Sequence, residues 1–202
     1  MEKELIINGI KYVKYEEYKE YKIYDLVNYN GYEWIVIDVE DNKLTLMMKN
    51  CFPKEKMKAI FKEEYLTKDG GIKYSLNKTC NDWNKTEIKR GLNNEFLEEF
   101  NKDELIKMKT NYDTDKYSYD YIRIPKIREI KRLDSNRVKP NFVCWTMFPS
   151  NFSAPDGYAR EWVENSAGYL YYWRWVTAWN GARPVITLKS DNLNIKKISE
   201  EL

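Results

Sequence analysis

Between positions 158 and 179 the chain carries Tyr158, Trp162, Tyr169, Tyr171, Tyr172, Trp173, Trp175 and Trp179, with Arg174 and Asn180 among or beside them. None of these side chains is a ready nucleophile or a proton shuttle near neutral pH. Their chemistry is recognition. Flat, rigid rings stack on sugars, bases or partner side chains, and arginine or asparagine adds directed hydrogen bonds. The spacing is that of a strand: Tyr169, Tyr171, Trp173 and Trp175 share one face, and Leu170, Tyr172, Arg174 and Val176 the other. Either the aromatic face is a binding platform, or it packs the core and the other face meets solvent. Trp179, in the turn expected next, and Tyr158, beside Gly157, suit surface contact in both cases. The candidate ligand-binding residues are Tyr158, Trp173, Arg174, Trp175, Trp179 and Asn180.

A second aromatic group is Tyr112, Tyr117, Tyr119 and Tyr121, interspersed with Asp113, Asp115 and Asp120. Tyrosines in a polar loop suit recognition; the alternative is a solvated insertion. Two aspartates are too few to specify a metal.

The composition narrows the chemistry further. Histidine is absent from all 202 residues. That removes Ser-His-Asp and Cys-His catalysis and histidine-containing zinc sites. A lysine- or carboxylate-based mechanism stays formally open, but the expectation is a protein without enzymatic activity, cofactor or metal. Cys51, Cys80 and Cys144 are far apart and odd in number, which predicts reduced, mostly buried thiols and no disulfide framework. Lys and Arg total 34 against 32 Asp and Glu, a net +2, so there is no general pull toward nucleic acid or anionic membrane. No apolar run approaches the length of a membrane span, and positions 1–10 lack a signal-peptide core. The expectation is cytoplasmic synthesis, with virion association or non-classical export as routes outward.

The elements that would position these residues can be read along the chain. Residues 4–13 predict a small hairpin turning at Asn8-Gly9, and 14–22 a connector or short helix. Residues 32–39 read as a strand, 40–42 turn, and 43–49 return as its partner in a β-meander. An insertion at 54–73 holds some helix near 56–64. Apolar residues four apart at 86–92, extended by Phe96 and Phe100, predict helix broken by Gly91 and Asn93-Asn94. Asn101 with Glu104 suggests a helix cap before Leu105 and Ile106. Residues 111–121 read as loop, 121–125 as strand, 126–132 as a helical turn and 134–141 as loop. Strands are predicted at 142–147, 160–164, 169–176 and 183–188. Residues 190–202 read as a polar tail anchored by Leu193 and Ile195. Strands, then helices, then strands imply an α+β fold with an antiparallel sheet in one domain spanning 1–202.

Several of these segments, in this order, resemble a family of bacterial and phage proteins. They are Gly31-Tyr32-Glu33-Trp34-Ile35-Val36-Ile37-Asp38; the helix from Trp83 through Ile88, Arg90, Leu92 and Asn93; Ile124-Pro125 through Glu129; Trp145 to Ser150; Val163 with Gly168; and Gly181-Ala182-Arg183-Pro184. The resemblance runs from about 24 to 189 and implies a C-type-lectin-like fold. That scaffold is shared with formylglycine-generating enzymes and hypervariable receptor-binding proteins. The family arginine after Trp145 is missing here, Ala182 replaces a valine, and Gly91 replaces a bulky residue. Trp179-Asn180 is similar to the Trp-Asn-Asp calcium ligands of true C-type lectins, but Gly181 stands where the aspartate belongs, so the asparagine reads better as a turn residue. The paired copper-binding cysteines of the formylglycine-generating relatives have no counterpart. Arg183 is expected to anchor the last strand on Asp38 or on backbone carbonyls, and Asn93 to bond loop backbone. The resulting expectation is a binding module for a protein or glycan. A regulator or inhibitor that occludes a host protein is the competing class.

Overall fold

Three apolar runs between positions 26 and 48, joined by short polar turns, build a three-stranded meander within the central sheet. The computed structural model describes residues 3–7, 10–14, 20–68, 70–77, 80, 82–111, 116–149, 160–164, 166–167, 169–192 and 194–199; at 3–7, 10–14, 111, 148–149, 160–164, 171–175, 179 and 199 only the backbone is described. The predicted hairpin is present as β1 (Lys3–Ile7) and β2 (Ile10–Lys14), which pair Ile7 with Ile10. Strands β3 (Leu26–Tyr29), β4 (Tyr32–Glu40) and β5 (Lys43–Met48) form the meander. Its first turn is two residues long, with Asn30 at φ 53° and Gly31 at φ 79°. Two successive positive φ values make the tight turn that matches strand twist, and asparagine and glycine adopt them most readily.

Next come α1 (Lys54–Ile60), the short β6 (Ile72–Lys73) and α2 (Glu87–Asn93). Beyond them lie β7 (Met108–Asn111), β8 (Tyr117–Asp120), β9 (Ile122–Arg123), α3 (Ile127–Arg132) and α4 (Ser135–Val138). The chain finishes with β10 (Cys144–Pro149), β11 (Arg160–Glu164), β12 (Leu170–Trp175), β13 (Trp179–Asn180), β14 (Val185–Lys189) and β15 (Lys196–Ser199). The fold is α+β. A six-stranded antiparallel sheet runs β15-β3-β4-β5-β14-β9, a three-stranded sheet runs β10-β11-β12, and β1-β2, β7-β8 and β6-β13 are two-stranded.

Both faces of the large sheet are covered. On one face Val27, Trp34, Val36, Leu44, Leu46 and Ile186 pack with α1, α2, Phe96 and Phe100. On the other, Leu26, Ile35, Ile37, Met47 and Val185 meet Ile130, Leu133 and Val138 of the α3–α4 segment and Leu170 of β12. Burying each such side chain stabilises the fold by about 1.5–3 kcal/mol before entropy is counted. Among the described residues three tryptophans are fully buried, and each indole N–H finds an acceptor: Trp34 donates to the Tyr29 carbonyl (3.0 Å), Trp83 to Asp120 (2.9 Å) and Trp145 to the Ile72 carbonyl (2.7 Å). A buried indole left unpaired would forfeit that benefit.

Several expectations change here. Gly91 does not break its helix, which continues to Asn93. A Cβ at Gly91 would lie 2.6 Å from Phe61 Cε1 and 2.9 Å from the Ile60 carbonyl oxygen, so glycine lets α2 press against the end of α1. Alanine's better helix propensity is worth about 1 kcal/mol, while overpacking costs ~1–3 kcal/mol. Because a backbone oxygen cannot swing away, Gly91→Ala is expected to destabilise by about 1–2 kcal/mol in urea unfolding; a stabilised variant would show that the contact yields. Asn101 and Glu104 sit in a turn and cap no helix; Asn101 Oδ1 accepts from the Asp103 N–H (3.1 Å), and β7 follows. Residues 134–141 hold α4, capped by Asp134, whose carboxylate accepts from the Asn136 N–H (2.9 Å). The C-terminal tail supplies β15, an edge strand.

The cysteine expectation is also overturned: Cys51 and Cys144 form a disulfide, leaving Cys80 as a free thiol. Both bonded residues are buried beside Gly181, where a Cβ would come within 2.6 Å of Cys51 Sγ. Arg183 anchors the β14 approach as expected. Its Nε donates to the Met48 carbonyl (2.7 Å) and its Nη2 to the Lys49 carbonyl (2.9 Å), while Asp38 pairs instead with Arg132 (3.0 Å). Asn93 bonds loop backbone as expected. Its amide donates to the Ile122 carbonyl (2.7 Å) and its oxygen accepts from the Tyr121 and Ile122 N–H groups (3.0 and 3.2 Å).

Candidate recognition surface

The segment read as a loop at 111–121 holds a strand, β8, that pairs with β7. The register sets Lys109 opposite Tyr119 and Asn111 opposite Tyr117 on one face, with Thr110 opposite Ser118 and Met108 opposite Asp120 on the other. Thr110, Ser118 and Asp120 are buried. Asp120 Oδ2 accepts from the Trp83 indole (2.9 Å) and from the Ser118 hydroxyl, and Oδ1 lies 3.1 Å from Lys89 Nζ. Trp83 and Lys89 belong to the α2 region, where the Thr86 side chain accepts from the Lys89 N–H (3.1 Å) and so caps the helix. The hairpin is therefore fastened by a buried carboxylate to a capped helix, which holds its outer face in a fixed orientation.

That outer face is aromatic and cationic. Tyr117 and Tyr119 are 52% and 53% exposed, and their rings meet edge to face at 5.7 Å. Lys109 Nζ lies 4.5 Å from the Tyr117 ring centre and 5.9 Å from that of Tyr119. Lys107 Nζ stands 5.5 Å from the ring of Tyr121, which is itself half-buried against the main core. Neither lysine forms an ion pair with a described residue. Exposed rings that retain a free face, held rigid and bordered by ammonium groups, have the make-up of a contact surface. They have no nucleophile or acid–base pair, and among the described residues no group of three Cys, Asp or Glu could hold a metal.

The structure distributes the sequence-predicted residues differently. Tyr158 lies outside the described residues. Trp173, Arg174 and Trp175 fall in β12 and Trp179 in β13, but their side chains lie outside the described residues. Asn180 is not a turn residue: it pairs with Ile72 in the β13–β6 ribbon, is 1% exposed, and its Nδ2 has no hydrogen-bond partner among the described residues. Around β12 the flanks are described: Tyr169 is 58% exposed, Leu170 packs on the second core and Val176 is buried. Lys107 and Lys109 were not singled out from sequence. Their alternation, matched by that of Tyr117, Tyr119 and Tyr121, is the signal that would have placed them on one face. No helix among the described residues is long and apolar enough to cross a membrane. No protein-family model, no curated protein and no solved structure matches the chain.

Proposed function

We propose that this chain is a non-enzymatic binding module on a C-type-lectin-like scaffold, recognising a protein or glycan surface through an aromatic patch. The order of the resembling motifs supports the scaffold, as does a C-terminal strand that returns to pair with β3 beside a second, smaller antiparallel sheet. The observation that carries the function is the exposed Tyr117–Tyr119 pair with Lys109, held on a hairpin pinned from behind. A face that serves only stability would bury such rings, because exposed aromatics contribute little to folding.

The test separates binding from folding. Tyr117→Ser/Tyr119→Ser should shift the unfolding free energy by less than about 0.5 kcal/mol per site. Binding to a target found by glycan array or by pull-down should weaken at least about tenfold, as expected for anchor residues. Equal binding by wild type and variant would remove the hairpin from the interface.

A further inference from the structure

Three segments distant in sequence converge on one carboxylate at the opening of the β3–β4 turn. Glu104 Oε2 accepts from the Tyr29 hydroxyl (3.0 Å) and Asn192 Nδ2 (2.8 Å), and Oε1 accepts from Asn194 Nδ2 (2.9 Å) and, at 3.4 Å, from Asn101 Nδ2. These donors, Asn192 foremost, outweigh burial and hold the carboxyl ionised below its usual range. In front of it opens a groove of about 380 Å³, at the small end of the roughly 300–1,000 Å³ range of ligand pockets. Asn28 and Lys196, cross-strand partners on β3 and β15, also line it, and neither side chain forms a hydrogen bond or ion pair with a described residue. Gly31 contributes to the lining and has no atom within 4 Å of where a Cβ would stand, so that rim is open.

We propose that this groove binds one or two units of a neutral saccharide. The argument is one of charge and donor inventory. One anion and one cation line the groove, so it carries no net charge that would select a ligand of either sign. Carboxamides present a donor and an acceptor side by side, which matches neighbouring hydroxyl groups that each give and take a hydrogen bond. Glu104 is already held by three short bonds, so it has little capacity for a ligand ammonium. The long bond from Asn101 is the one a ligand hydroxyl would replace. No exposed ring lies in the groove, since Tyr29 is buried and its hydroxyl is committed to Glu104. Affinity then rests on hydrogen bonds alone, and a dissociation constant of about 1 mM is expected. The groove shares no residue with the tyrosine hairpin, so this inference and the proposed function fail independently.

The experiment is a ¹⁵N-resolved NMR titration of the full chain with glucose, galactose, mannose, N-acetylglucosamine and lactose, with glutamine and betaine as zwitterionic controls. Saturable shifts at Asn28, Gly31, Asn101 and Asn194 with at least one sugar, and none with the zwitterions, are expected. Lys196→Met, on an edge strand, and Asn28→Leu should each weaken binding about tenfold, and the spectrum itself reports whether each variant is folded. Shifts with the zwitterions alone, no saturable response to any sugar, or sugar binding unchanged in both folded variants would each overturn the proposal.

Discussion

Replacing Cys51 or Cys144 with serine is expected to lower the unfolding free energy by about 4–5 kcal/mol, close to half the stability of an ordinary domain. The disulfide joins residues 93 apart in sequence. A cross-link that closes so long a loop removes much of the entropy of the unfolded chain, and that entropy scales with the logarithm of loop length. It also fixes the segment after β5 to the first residue of β10, beneath Gly181, whose N–H donates to the Val143 carbonyl (2.6 Å) and whose carbonyl accepts from the Trp145 N–H (3.0 Å). Breaking it therefore loosens the join between the large sheet and the three-stranded sheet, as well as enlarging the unfolded ensemble. Urea unfolding with and without a reductant measures the effect, and Cys80→Ser, which breaks no bond, should move the midpoint little. The chemistry has its own check. The denatured, unreduced protein should present one reactive thiol, Cys80; three would contradict the disulfide.

Why that bond was illegible in the sequence is a matter of register. Nothing local marks Cys51 and Cys144 as partners; they meet because β14 pairs with β5 and the 181–183 segment lies between the two cysteines. The same holds for Glu104. Its spacing from Asn101 reads as a helix cap, yet the groups that use its carboxylate are Tyr29, Asn192 and Asn194, up to 90 residues away. The β4–β5 pair was legible because apolar and β-branched residues crowd 32–39 and 43–49 around a polar turn, whereas β3, only four residues long, carried no such signal. The β7–β8 hairpin was not legible, because its inner face sets Thr110, Ser118 and Asp120 beside a single apolar residue, Met108, and its outer face is lysine and tyrosine, so polarity hardly alternates at all. Among the described residues, the Trp83 indole, the Ser118 hydroxyl and the Lys89 ammonium satisfy the Asp120 carboxylate on that polar inner face. The role of Asn93, by contrast, is legible: a carboxamide at a helix end has few uses other than bonding the backbone that passes beside it.

Glu129→Gln should destabilise the protein by about 3–5 kcal/mol. The Arg123 side chain is 3% exposed and that of Glu129 12%. Arg123 Nη1 donates to Glu129 Oε2 (2.7 Å) and Nη2 to Oε1, a bidentate pair, while Oε2 also accepts from the Lys126 N–H (2.8 Å) and so starts α3. The amide removes the only carboxylate paired with that guanidinium among the described residues and leaves a buried cation, whereas a matched apolar pair, Arg123→Met/Glu129→Leu, should recover much of the loss. Asp38→Asn, which breaks the far more exposed pair with Arg132, should cost ~1 kcal/mol or less. The pH dependence follows from the sign of the shift. Burial opposes ionisation of Glu129, but the adjacent Arg123 charge and hydrogen bonds outweigh it, so the folded pKa lies below the unfolded value of about 4.3. Between those two values the unfolded state holds more protons. The pair's contribution is therefore full above the unfolded pKa and is lost as pH falls through the folded one. The stability gap between wild type and Glu129→Gln should be widest near neutrality and narrow below about pH 4. A gap independent of pH would mean that the variant is penalised by its shape and not by the loss of charge.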